Sequence, residues 1–198
     1  MSPALRRALS EQGKSVPCLL PADVVSLLER LNAPPRLAAH LRVVHDVAGQ
    51  LVDLLASRQP DLIVNRYAVM FGAATHDVGK VIYPKELGGP GSAHEHAGYE
   101  LLIAEGIPEE LARFARTHGD WSASGLTVED HLVSVADKIW KAKRVPGLED
   151  LVVHRLTAAT GTERWQAFMA LDEILEQLAG GSDLRLAFQS SYPITAIT

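Results

Sequence analysis

One pair of neighbouring residues offers chemistry at once. His76 and Asp77 stand side by side in the run Ala74-Thr75-His76-Asp77-Val78-Gly79-Lys80, at the end of a strongly apolar stretch. Adjacent ligands at the terminus of a buried helix can both turn toward one cation once the backbone leaves helical geometry. The chain carries further imidazoles and carboxylates near the ends of other helical segments. Neutral imidazole and carboxylate together make a ligand set of intermediate hardness, suited to iron, manganese, cobalt, nickel or zinc and poorly suited to calcium.

Apolar residues recur mostly at three- and four-residue spacing and never in sustained alternation, which predicts an all-α, single-domain helical bundle. A short helix is expected over about 22–31, closed by Asn32 to Pro35. A long one over about 36–57 carries Leu37, Leu41, Val44, Ala48, Leu51 and Leu55 along one stripe, with His45 near its middle. A third, about 62–77, is apolar almost all round, as the central helix of a bundle should be. Gly79 is expected to supply the left-handed residue that stops it. The segment 84–91, with two prolines and three glycines, reads as a loop bordering a site. Helical spacing resumes over 92–105 and again from Glu109 to near His118. Thr127 and Asp130 resemble a capping box opening a helix to about Lys143 that bears Asp137. One or two amphipathic helices follow Pro146. The expected organisation is an N-terminal extension (1–20), a helical domain (21–180) and a C-terminal tail (181–198).

Composition bounds the function. A formal charge of -5 argues against a broad nucleic-acid surface, which needs clustered Lys and Arg, so any phosphate site must be local. The single cysteine, Cys18, permits no internal disulfide and no Cys-based zinc site. No apolar run reaches membrane-spanning length, and the expectation is a cytoplasmic, soluble protein.

An upstream His, a His-Asp doublet on an apolar helix, two further His and a late Asp in Val135-Ala136-Asp137-Lys138 together resemble the HD superfamily of metal-dependent phosphohydrolases, over about 37–143. The resemblance implies that His45, His76, Asp77 and Asp137 hold one metal ion. It also implies that His94 and His118 are the extra pair with which some members hold a second, Asp77 then bridging. His96 competes with His94; the resemblance favours His94, because members of the family often show His followed by Glu and then a small residue three beyond that. Gly98-Tyr99 is followed by Glu100 rather than Pro, which sets aside the cyclic-dinucleotide phosphodiesterases. His40, His131 and His154 fill no position of the pattern and are expected to pack or face solvent.

The resemblance further implies one or two divalent transition-metal ions and hydrolysis by metal-activated water of a phosphoester or phosphoanhydride, from a nucleotide or other small phosphorylated metabolite. Asp77, His94, His118 and Lys80 are the expected catalytic groups. Lys80 would neutralise phosphate, and Glu95 would orient His94 or assist proton transfer. Lys138, Lys141, Lys143 and Arg144 could equally be a solvated cationic face, and Tyr83, Tyr99 and Trp121 packing elements. The same six-ligand pattern occurs in di-iron oxygenases, and a non-catalytic binding module shares the fold; a homo-oligomer is compatible with all three.

Overall fold

In the computed structural model, which describes residues 1–195, the chain forms eleven α-helices and, among those residues, no strand. They are α1 (Pro3–Ser10), α2 (Ala22–Arg30), α3 (Pro35–Arg58), α4 (Arg66–Thr75), α5 (Ala93–Ala104), α6 (Glu109–Ala112), α7 (Phe114–Thr117), α8 (Val128–Ile139), α9 (Pro146–Thr160), α10 (Arg164–Ala179) and α11 (Ser182–Ser190). Two 3-10 turns, Val78–Val81 and Pro84–Leu87, follow α4. Among the described residues no helix is long and apolar enough to cross a membrane.

Helix α3 is the spine. Pro35 opens it at a position whose N–H would have no helical partner anyway. From Leu37 to His45 every residue is buried, because α1, α4, α8, α10 and α11 pack around it. Helix α4 begins later than its apolar sequence predicts. Asn65 caps it, its side chain accepting from the Ala68 N–H at 3.0 Å, so Ile63 lies outside the helix and 91% exposed. Its buried side, Val69 to Thr75, meets α3 and α8. The Thr127 and Asp130 capping box is present at the start of α8.

Gly79 has a different role from the one expected. It does not take a left-handed conformation but lies within the 3-10 turn after Asp77. A Cβ there would come within 2.0 Å of the His94 carbonyl oxygen and 2.6 Å of the Gly98 N. Glycine is therefore what lets α5 press against the turn that carries Asp77.

Both chain ends are integral. Leu5, Ala8 and Leu9 of α1, within the expected N-terminal extension, are buried against α3. The wholly buried Arg42 donates to the carbonyls of Ala8, Glu11, Pro17 and Cys18. At the other end α11 occupies half of the expected tail, and Arg36 holds it by donating to the Ser190 and Tyr192 carbonyls. Residues 196–198 of that expected tail lie outside the described residues.

Candidate metal centre

Five separate segments deliver the side chains of one buried cluster. His40 comes from the first half of α3, His76 and Asp77 from the end of α4, His94 from the first turn of α5, His118 from just after α7, and Asp137 from α8. All six are buried. Around Asp77 Oδ2 lie His40 Nε2 at 3.1 Å and His76 Nε2 at 3.6 Å. Asp137 Oδ1 is 3.7 Å from His40 Nε2 and 3.5 Å from His76 Nε2. On the other side, Asp77 Oδ1 is 2.9 Å from His94 Nε2 and 3.4 Å from His118 Nε2. Ligand atoms each ~2.1 Å from one ion stand about 3.0–3.4 Å apart. The two groups come within a few tenths of an ångström of that spacing, and Asp77 presents one carboxylate oxygen to each.

The imidazoles are oriented for ligation. His76 Nδ1 donates to the Ala73 carbonyl at 3.0 Å and His118 Nδ1 to that of Ala115 at 3.0 Å. His94 Nδ1 meets Glu86 Oε2 at 2.5 Å, and His40 Nδ1 meets Gln189 Oε1 at 3.1 Å. Engaging Nδ1–H fixes the tautomer and leaves each Nε2 with its lone pair toward the cluster. Two such nitrogens, those of His40 and His76, face each other at 3.3 Å. Lone pairs so placed repel unless a cation lies between them. His94 Nε2 is buried and makes no hydrogen bond, although Asp77 Oδ1 is near. The donor set therefore fits transition-metal ions.

His45 is the correction. Its Nδ1 lies 3.0 Å from the Met70 carbonyl, and it joins none of the metal-competent groups. His40, which no sequence position suggested, stands in its place. Five residues turn a helix so that the two side chains point about 140° apart, so only one of them can face Asp77. The other expected ligands, His76, Asp77, His94, His118 and Asp137, are brought together. His96, the rival of His94, is 73% exposed in its side chain and pairs with Glu100. His131 is buried away from the cluster and His154 is exposed.

Charge follows the same plan. Burial alone would raise the Asp77 carboxyl, but His76, His118, His40 and His94 hold it well below the usual carboxylate range. Burial likewise opposes ionisation of Asp137, and His76 with Lys138 outweighs it. Burial pushes His76 down, keeping the imidazole neutral and able to ligate. Lys80 Nζ lies 2.5 Å from Asp77 Oδ2 and Lys138 Nζ 2.6 Å from Asp137 Oδ2.

A cavity of about 240 Å³ opens over the cluster, bordered by Lys80, Glu95, Lys138 and Lys141 as well as His40, Asp77, His94, His118 and Asp137. The expected loop does border the site: Glu86 to Pro90 line a second cavity, with Trp140 and Gln189. Trp140, Glu86 and Gln189 had no signal in the sequence, since their importance comes from contacts with residues far along the chain or outside any motif. Tyr83, Tyr99 and Trp121 line neither cavity; Tyr99 packs under Arg116, and Trp121 lies against Gly147.

A family model described as the HD domain matches residues 37–140, a span that contains every residue of the cluster. No curated protein and no solved structure matches the chain.

Proposed function

Because the chain belongs to the HD-domain family, we propose that it is a metal-dependent phosphohydrolase acting on a nucleotide or another small phosphorylated metabolite. The observation that carries this reading is the split allegiance of Asp77, one oxygen toward His40 and His76, the other toward His94 and His118. In it, His40, His76, Asp77 and Asp137 would hold one divalent ion, and His94 and His118, with Asp77, would hold a second. When bound, such ions supply a water acidified toward neutral pH and a Lewis acid for a phosphoryl oxygen.

The chain's own groups do the rest. Glu86 holds His94 through Nδ1, and Gln189 holds His40 in the same way. Lys80 and Lys138, on the cavity wall, offer ammonium groups to the phosphate oxygens. Glu95, whose carboxylate lies within reach of His94 and His118, is placed to take a proton at a carboxylate oxygen. Burial of the cluster keeps bulk water from competing for these contacts.

The test is to strip the purified protein with a chelator, reload it separately with iron, manganese, cobalt, nickel and zinc, and screen each form for phosphate release from nucleotides and simple phosphoesters. Release that vanishes on stripping and returns on reloading supports the reading. Oxygen consumption by the iron form with no phosphate released from any compound contradicts it.

A further inference from the structure

The cavity over the cluster does not end there. It shares His40, Lys80 and Lys141 with a second cavity of about 590 Å³, which Leu87, Gly88, Gly89, Pro90 and Trp140 also line. The first, at about 240 Å³, is below the ~300–1,000 Å³ of typical small-molecule sites, and the second is within it. Lys80 and Lys141 thus border both spaces.

The lysines at this junction pair only with carboxylates assigned to the metal site. Lys80 and Lys138 have carboxylates beside them, but those belong to the metal ligands Asp77 and Asp137. Lys141 makes no ion pair among the described residues, and its Nζ lies 5.4 Å from the centre of the Trp140 ring. Among the described residues, the one carboxylate lining the larger cavity, Glu86, is engaged with His94. In a chain of net charge -5 this is a local surplus of positive charge facing a cavity.

Resting on the phosphohydrolase reading, we infer that the substrate is a phosphoanhydride, with its scissile phosphate over Asp77, the adjoining phosphate between Lys80 and Lys141, and its organic group in the larger cavity beside Trp140. A monoester of a neutral alcohol would set an uncharged group against Lys141, whereas a second phosphate supplies the anion the junction lacks. Hydrolysis forms one P–O bond from the water oxygen and breaks the P–O bond to the bridging oxygen. The bonding pair leaves with the departing phosphate, and the protons of water pass to the products and the solvent.

Calorimetric titration of the metal-loaded protein tests this, with inorganic phosphate, methylenediphosphonate and the methylene analogue of ADP as non-hydrolysable probes and metal content checked before and after. Methylenediphosphonate should bind at least ~10-fold more tightly than phosphate, and the ADP analogue more tightly again. Lys141→Ala should erase most of that advantage and Lys141→Arg preserve it; Lys141 is exposed, so both variants should fold. Equal affinity for one and two phosphates, or an advantage that survives Lys141→Ala, overturns the inference. Release of phosphate from monoesters alongside that equal affinity leaves the phosphohydrolase reading standing. A wild-type protein that binds none of the probes and hydrolyses nothing sinks both.

Discussion

Nδ1 of His40 lies 3.1 Å from Oε1 of Gln189, a residue 149 positions away on the last helix of the chain. The contact joins a residue of the family-matched segment to a helix outside it. It also explains why α11 is clamped to α3 by Arg36, since the amide must be held still to hold the imidazole. Gln189→Leu should therefore lower affinity for the ion at His40 by about 10–100-fold, while Gln189→Glu, which keeps an acceptor oxygen, should retain it. Competition with a chromophoric chelator reads both. Equal affinity in wild type and Gln189→Leu would show that the contact is incidental.

Glu86 plays the matching part for His94, whose Nδ1 it meets at 2.5 Å. Burial resists protonation of His94, but Asp77 and Glu86 raise it overall; the His94 contact draws Glu86 down. Glu86→Ala should release the ion at His94 and His118 before the one at His40 and His76. Metal analysis after graded dialysis should show one ion retained where the wild type keeps two.

A methyl group at Gly79 has nowhere to go, because the atoms in its way are the backbone of α5. Gly79→Ala should cost about 1–3 kcal/mol or more by forcing the two elements apart. It should also move His94 from Asp77, so denaturant unfolding would show lower stability and the loaded protein would carry less metal. Unchanged stability would mean that α5 shifts freely, contrary to the packing described.

How much of this was legible depended on whether the signal was local. His76 and Asp77 are adjacent, and Asp137 follows a capped, strongly amphipathic start, so the chain text marks them. The choice between His40 and His45 could not be read from an apolar stripe, because α3 is buried on nearly every side and both histidines are surrounded by apolar neighbours. Its outcome is set by which face meets α4 and α8. Glu86 and Gln189 matter only through contacts made on folding. The terminal helices escaped notice because each buries few residues: Phe188 is the one buried position of α11.

His45 gives a pH dependence of its own. Burial lowers its pKa from the ordinary 6.5, with the Met70 carbonyl opposing. Below 6.5 the unfolded chain takes up a proton that the folded one refuses, so this contribution to stability is full above that pH and declines as pH falls toward the folded value. His76 and His131 are lowered by burial too and act in the same sense, whereas His94, raised despite burial by Asp77 and Glu86, acts in the opposite one. Urea midpoints of the metal-free protein should fall between pH 7 and 5, less steeply in His45→Gln than in wild type. A slope that His45→Gln leaves unchanged would assign the effect elsewhere.

The central claim is that His40, not His45, completes a carboxylate-bridged pair of ion sites. Metal content of purified, reloaded wild type, His40→Ala and His45→Ala, measured side by side on folded protein, tests it most directly. The account predicts two ions per chain in wild type and in His45→Ala, and loss of at least one in His40→Ala. Full metal in His40→Ala with loss in His45→Ala would contradict it.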